Sequence, residues 1–222
     1  MIQIIKHVIK HSPLYPLRNW WVKSAQEKKR AAWERRGRPV PPPHIVKQQT
    51  LLDYGKTFGL RVLVETGTYY GDMVEAMKGS FDHIYSVEIS QELFTKAKKR
   101  FKNARNIELI HGDSGEEIRN IMKRIDQPAL FWLDGHYSEG VTGKAAHDTP
   151  IYEELDHILS AKVTGHVIII DDARCFGADP SYPTLEKLRQ FVKSKKENVE
   201  ICVSDDIIRI TPKEDLSDGS SN

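Results

Sequence analysis

Residues 61–71 read Arg61-Val62-Leu63-Val64-Glu65-Thr66-Gly67-Thr68-Tyr69-Tyr70-Gly71, an apolar strand that runs directly into a turn with two glycines. Short apolar runs of this kind are typical of buried strands. The glycines allow the backbone to turn tightly and to approach a ligand closely. Because ligands bind at the carboxyl ends of the strands in an open α/β sheet, this turn predicts a ligand site.

The rest of the chain alternates strands with helices. Strands are predicted at residues 83–88, 107–111, 129–134, 166–171, 199–203 and 207–211, and helices at 44–58, 72–77, 91–101, 115–124, 151–159 and 184–194. This alternation is typical of a parallel sheet covered on both faces. Three residues, 204–206, separate the last two strands, which predicts an antiparallel hairpin. The predicted fold class is α/β: a Rossmann-like doubly wound, mostly parallel seven-stranded sheet with an antiparallel C-terminal hairpin, plus a basic N-terminal helical extension.

Charge divides the chain into a basic arm and an acidic body. Residues 1–48 carry 11 Lys and Arg against 2 acidic residues, whereas the remainder carries 22 against 29. A Pro-rich segment follows the arm and predicts a stiff linker. We therefore predict a basic amphipathic extension with its linker at 1–43, the main domain at 44–212 and a disordered tail at 213–222.

The basic arm predicts an anionic partner. Aliphatic and Trp side chains among basic residues at 1–23 suit an anionic membrane surface, which residues 1–38 are expected to contact. An exposed helix is expected at 24–38, and Pro13 and Pro16 are expected to interrupt any helix before it. The alternative is docking on the protein's own domain or on a second subunit of a homo-oligomer. Nucleic acid is disfavoured, because the aromatic residues do not form a stacking platform.

The cellular compartment is predicted from the cysteines and the hydropathy. Cys175 and Cys202 are the only cysteines, and they form no CxxC motif, which fits a reducing compartment. Apolar runs fall short of the roughly 20 residues that a spanning helix needs. We therefore expect a cytoplasmic protein, peripheral at the inner membrane surface if the arm binds lipid.

The turn at 65–71 has the form Glu-x-Gly-x-x-x-Gly, and Glu88 ends the second strand 17 residues after Gly71. A turn without a ligand would explain the motif taken alone. Together the two features resemble motif I and the following strand of class I S-adenosylmethionine (SAM) dependent methyltransferases. The resemblance implies that Glu88 accepts hydrogen bonds from the ribose hydroxyls. It also implies that the amino acid end of SAM is held by Glu65, Gly67, Thr68, Tyr69 and Gly71.

The third strand leads to Asp113 and Ser114. In the same class of enzyme an acidic residue at this position accepts a hydrogen bond from the adenine amino group, which implies that role for Asp113. Either residue also suits the N-cap of the following helix. One of them can cap the helix while the other binds the cofactor.

The fourth and fifth strands are apolar runs that end in carboxylates, at Asp134 and at Asp171-Asp172. Neighbouring parallel strands bring these residues to one edge of the sheet, where like charges repel unless a cation intervenes. Oxygen ligands of this type suit Mg²⁺ or another divalent ion. The alternatives are a strand-end cap for Asp134 and a simple turn for the pair.

These strand ends resemble the metal-dependent O-methyltransferases, and most closely the macrocin O-methyltransferase group, with its Leu-Asp-Gly-Asp and Ile-Asp-Asp endings. The resemblance implies that Asp134, Asp171 and Asp172 bind the metal and that Asp134 lies beside the SAM sulfonium. The group's second strand-four Asp, its general base, aligns with His136. A histidine can accept a hydroxyl proton near neutral pH, and His147 is the second candidate for the base.

The motifs together predict a SAM-dependent O-methyltransferase, assisted by a divalent metal, that acts on a hydroxyl of a sugar, glycan or secondary metabolite, as in polysaccharide biosynthesis. The loop at 137–149 is expected to cover the site, and Arg174 to meet either an anionic substrate group or a local carboxylate. A metal-independent enzyme that uses His136 alone is a variant of this prediction. The alternative is a noncatalytic SAM-binding or membrane-associated interaction protein. An NAD-type oxidoreductase is disfavoured, because the turn lacks GxGxxG spacing.

Overall fold

The computed structural model describes residues 15–134 and 150–213, with side chains from residue 24 onward. The predictions for His136, His147, the loop at 137–149 and the tail from residue 214 therefore lie outside the described residues. The described residues fall into two compact units, which divide between Lys47 and Gln48. Within the described ranges, no helix combines the length and apolar character that crossing a membrane requires.

The first unit contains helix α1, Tyr15–Arg35. The helix begins nine residues before the exposed helix predicted at 24–38, with Pro16 in its first turn, where a proline lacks only an N–H that has no helical partner. After the helix ends, Trp33 Nε1 donates to the carbonyl of Pro39 at 2.7 Å, and the Arg38 guanidinium lies 5.7 Å from the Trp33 ring centroid. These contacts hold the start of the Pro-rich linker against the end of α1.

Alternating strands and helices make up the rest of the described chain. The helices are α2 (His44–Thr57), α3 (Asp72–Met77), α4 (Gln91–Arg100), α5 (Ser114–Met122), α6 (Ile151–Leu159) and α7 (Leu185–Lys195), with a 3₁₀ turn at Ala173–Cys175. The strands are β1 (Val62–Thr66), β2 (His83–Glu88), β3 (Ile107–His111), β4 (Ala129–Leu133), β5 (Val167–Ile170), β6 (Val199–Ser204) and β7 (Ile207–Pro212).

The seven strands form one sheet in the order β3-β2-β1-β4-β5-β7-β6. The first five are parallel, and β7 runs antiparallel between β5 and β6. Asp205 and Asp206 both have positive φ in the turn between β6 and β7, as a type I′ hairpin requires. The α/β prediction with an antiparallel C-terminal hairpin is confirmed.

Strand residues point alternately into two cores, one on each face of the sheet. Val62 and Val64 pack in the core that takes apolar residues from α5, α6 and α7, whereas Leu63 packs in the core that takes them from α2, α3 and α4. Strands β1, β4 and β5 are buried along their whole length, because helices cover both faces. Polar side chains on these central strands therefore gather at the carboxyl edge of the sheet.

Candidate active site

The turn after β1 is held against β2 by backbone hydrogen bonds. Gly67 and Thr68 both donate their N–H to the carbonyl of Val87, at 3.0 and 3.1 Å. Three residues of the turn have positive φ: Gly67 at 85°, Tyr69 at 50° and Gly71 at 76°. The left-handed conformation is open to glycine and costly for other residues. The turn therefore has a defined shape at the edge of the sheet, and Gly71 is the N-cap of α3.

Replacing Gly71 by alanine is expected to destabilise the fold. A Cβ at Gly71 would lie 2.6 Å from the Phe101 ring, and the residue would keep a φ of +76°. Crowding in a packed region and a left-handed alanine together cost roughly 2–4 kcal/mol. Urea unfolding measures this loss. Gly79→Ala is the matched control, because a Cβ there meets nothing within 4 Å, and an equal loss in both variants would contradict the argument.

Glu88, at the end of β2, accepts hydrogen bonds from two backbone N–H groups. Tyr69 donates to one carboxylate oxygen at 2.7 Å, and Ser90 donates to the other at 2.8 Å. The residue is only 4% exposed, and burial raises its pKa, although the two backbone donors counter part of that shift. Each oxygen keeps a lone pair for a further donor, as ribose hydroxyls would require.

Glu65 lies on the neighbouring strand and is fully buried. The Ser86 hydroxyl donates to its carboxylate, and the Thr68 hydroxyl is in turn hydrogen-bonded to Ser86. Burial, with a smaller contribution from the charges of Asp134 and Glu88, raises the pKa of Glu65 to about 8, although the hydrogen bond from Ser86 opposes the shift. A carboxyl in this state is poised to ionise when a cation enters the site.

Asp113 is the N-cap of α5. Its side chain accepts the N–H of Gly115 at 2.9 Å, while Ser114 is the first residue of the helix. The capping alternative therefore applies to Asp113 rather than to Ser114. A carboxylate oxygen can accept more than one hydrogen bond, so the adenine role of Asp113 stays a prediction.

Asp134, Asp171 and Asp172 come together at the carboxyl ends of β4 and β5. The N–H of Asp134 bonds to Thr66 O at 3.2 Å and that of Asp171 to Leu133 O at 3.0 Å, so both residues continue the ladders of the sheet. Carboxylate oxygens of the three residues lie within 4.8 Å of one another. Asp171 and Asp172 are buried, and Asp134 is partly exposed. Three hard oxygen donors, one of them on a partly exposed residue, fit a divalent ion such as Mg²⁺.

Arg174 is paired with local carboxylates, which is one of its two predicted roles. Its Nη1 lies 2.7 Å from Asp172 Oδ1 and also contacts Asp206 Oδ2, while its backbone N–H donates to Asp206 Oδ1 at 2.8 Å. Asp206 belongs to the β6–β7 turn and has 1% of its side chain exposed. The sequence did not single out Asp206, because only the fold brings the two residues together.

Two further residues near the site were missed from the sequence. Glu154 is 2% exposed on α6, and burial raises its pKa to about 7, with the Ser114 and Thr66 hydroxyls opposing the shift. The sequence feature that could have indicated Glu154 is a carboxylate on the apolar face of a helix, between Ile151 and Ile158. Tyr182 is half-buried; burial and nearby acidic groups, among them the Asp172 and Asp134 carboxylates, raise its pKa.

Comparison with known proteins identifies the fold. No protein-family model and no curated protein sequence matches the chain. The O-methyltransferase from Bacillus cereus in complex with S-adenosylhomocysteine (SAH) aligns with a TM-score of 0.57 and 16% identity, covering 86% of this chain and 91% of that one. For the O-methyltransferase TomG from Streptomyces achromogenes, involved in tomaymycin synthesis, the TM-score is 0.56 and the identity 17%, over 85% and 89% of the two chains.

An N-methyltransferase is also similar. NodS from Bradyrhizobium japonicum WM9 aligns with a TM-score of 0.53 and 14% identity, covering 77% of this chain and 97% of that one. These structural similarities, together with the strand order and the antiparallel β7, identify the fold as that of the class I SAM-dependent methyltransferases. The matches include both O- and N-methyltransferases, and the resemblance to the macrocin group stays a prediction.

Proposed function

We propose that this protein is a SAM-dependent O-methyltransferase, assisted by a divalent metal, that acts on a hydroxyl of a sugar, glycan or secondary metabolite. The observation that carries the proposal is the cluster of Asp134, Asp171 and Asp172 beside Glu65, in a methyltransferase fold. A fold that only bound SAM would have no use for three gathered carboxylates at this edge. Similarity to O-methyltransferases such as TomG also supports the proposal that this protein is an O-methyltransferase.

In the proposed cofactor site, Glu88 accepts the ribose hydroxyls with the lone pairs that Tyr69 and Ser90 leave open. Glu65 pairs as a carboxylate with the ammonium group of the cofactor's amino acid end. Bound SAM supplies an electrophilic methyl group. The turn at 67–71 would form one wall of this site, and the N–H groups that Gly67 and Thr68 donate to Val87 hold its backbone in place.

In the proposed acceptor site, the divalent ion would be held by Asp134, Asp171 and Asp172. When bound, such an ion would lower the pKa of the acceptor hydroxyl. His136, two residues after Asp134, takes the proton from the hydroxyl, with His147 as the second candidate. An ion held by these carboxylates would place the acceptor hydroxyl at the edge of the sheet where Asp134 adjoins Glu65, which would favour in-line attack on the SAM methyl group with SAH as the leaving group.

Calorimetric titration of SAH, with and without Mg²⁺, tests the cofactor site. The unaltered protein should bind SAH, and Glu88→Ala should weaken binding at least about 100-fold, because two hydrogen bonds to a charged acceptor contribute roughly 1.5–3 kcal/mol each. Glu92→Ala is the matched control. Glu92 is exposed on α4 and pairs with Lys96, so its loss should leave SAH binding unchanged.

The outcomes of this titration separate the candidate functions. No binding by the unaltered protein under either condition would discard the methyltransferase proposal. SAH binding in a protein that binds no divalent ion, and methylates none of a panel of glycans, would favour the noncatalytic SAM-binding alternative. Methyl transfer from radiolabelled SAM to a glycan hydroxyl supports the proposal directly.

A further inference from the structure

A guanidinium already occupies part of the space around the predicted metal ligands. Arg174 Nη1 lies 2.7 Å from Asp172 Oδ1, and the same atom contacts Asp206 Oδ2. One positive group therefore bridges a predicted metal ligand and a buried carboxylate from another part of the chain. Neither partner of Arg174 is freely mobile, since the side chains of Asp172 and Asp206 are 6% and 1% exposed.

The backbone around this bridge is also fixed. Asp206 accepts the backbone N–H of Arg174 through Oδ1 at 2.8 Å, and its own carbonyl accepts the N–H of Ala173 at 2.9 Å. Asp172 has a left-handed φ of 55°, and its N–H donates to Asp171 Oδ1 at 2.9 Å. The β6–β7 turn thus places the guanidinium against Asp172 through both backbone and side-chain contacts.

We propose that Arg174, anchored by Asp206, sets the metal affinity of the aspartate cluster by acting as a built-in competing cation. The inference rests on the proposed metal-assisted function. With Arg174 in place, one of the three carboxylates is already charge-paired, so a divalent ion gains less from entering. The arrangement keeps metal binding weak enough to depend on the cell's free Mg²⁺, and it positions Asp172 when the metal is absent.

The test is a titration of the full chain with Mn²⁺ alone, read from the electron paramagnetic resonance signal of free Mn²⁺. Arg174→Gln is expected to tighten Mn²⁺ binding roughly tenfold, the effect of removing one nearby like charge at a partly exposed site. Arg174→Lys keeps the charge and should bind Mn²⁺ nearly as the unaltered protein does. A purely structural role for Arg174 would instead weaken Mn²⁺ binding in both variants.

Two further variants keep the measurement decisive. Arg174→Gln leaves the Asp206 carboxylate buried and unpaired, which is costly; if that variant does not fold, the double variant Arg174→Gln with Asp206→Asn removes the unpaired charge and should still bind Mn²⁺ more tightly than the unaltered protein. Arg61→Gln is the matched control. It removes an arginine paired with Asp82 at the opposite edge of the sheet and should leave Mn²⁺ affinity unchanged.

The outcomes distinguish this inference from the proposed function. Tighter Mn²⁺ binding in Arg174→Gln, with no change in Arg174→Lys, supports the inference. Binding in Arg174→Gln, but none in the unaltered protein, also supports it and overturns metal assistance, because the guanidinium then takes the place of the ion. Equal or weaker Mn²⁺ binding in Arg174→Gln overturns the inference while leaving the metal site intact. No binding in any variant overturns both.

Discussion

Replacing Asp171 by asparagine is expected to abolish divalent metal binding and to reduce methyl transfer at least about 100-fold. Even residues that only support a metal ligand cost 10- to 100-fold when they are replaced, and Asp171 is predicted to be a ligand itself. Asparagine has nearly the same shape and can still accept the Asp172 N–H, which Asp171 Oδ1 accepts at 2.9 Å. The fold should therefore survive. Mn²⁺ titration and transfer of radiolabelled methyl to glycan acceptors measure the two losses.

The control for this variant is Asp126→Asn, which removes an exposed carboxylate between α5 and β4. It should change neither metal binding nor methyl transfer. SAH binding should persist in Asp171→Asn, since Asp171 is not among the predicted cofactor contacts. If Asp171→Asn transfers methyl groups at the normal rate in the presence of a chelator, the metal-independent variant that uses His136 alone is the better account.

The sheet could be predicted because its signals are local. Each central strand is a short apolar run that ends abruptly at a polar residue, as at Glu65, Asp134 and Asp171. Burial on both faces requires such runs, and parallel pairing then brings their ends to one edge. The signal for the hairpin was equally local, because a connection of three residues between two strands is too short for a parallel crossover. The gathering of the three aspartates follows from this topology.

The contacts around Arg174 and Glu154 could not be predicted, because they join distant parts of the chain. Asp206 lies 32 residues after Arg174, and only the insertion of β7 beside β5 brings it near. From the sequence, Arg174 could meet either an anionic substrate group or a local carboxylate, since a charged side chain next to a strand end has no intrinsic preference between them. The start of α1 at Tyr15 was missed because a proline was given the weight that it has in a helix interior.

Replacing Glu65 by glutamine is expected to stabilise the ligand-free protein and to weaken SAH binding. Burial raises the pKa of Glu65 from 4.5 to about 8. Below pH 4.5 both the folded and the unfolded chain carry the proton, so the substitution changes little. As the pH rises to about 8, only the unfolded chain ionises, and the unaltered protein loses up to about 1.4 kcal/mol per pH unit. Glutamine cannot ionise, so the Glu65→Gln variant does not lose this free energy of unfolding.

Thermal unfolding at several pH values measures the stability difference. The melting temperature of Glu65→Gln should exceed that of the unaltered protein by at least several degrees at pH 8, since each kcal/mol shifts it by about 2–4 °C in a chain of this size. The difference should vanish near pH 4.5. A variant that is less stable than the unaltered protein at pH 8 would show that Glu65 is ionised and stabilising in the ligand-free fold.

The same carboxyl couples SAH binding to a proton. At pH 7 a group with a pKa of about 8 is mostly protonated, but it must ionise to pair with the ammonium group of SAH. Binding should therefore release nearly one proton, which calorimetry in buffers of different ionisation enthalpy detects. Glu65→Gln should bind SAH more weakly and release none. Glu88 offers the contrast: backbone donors already stabilise its carboxylate, so Glu88→Gln should weaken SAH binding yet leave most of the proton release in place.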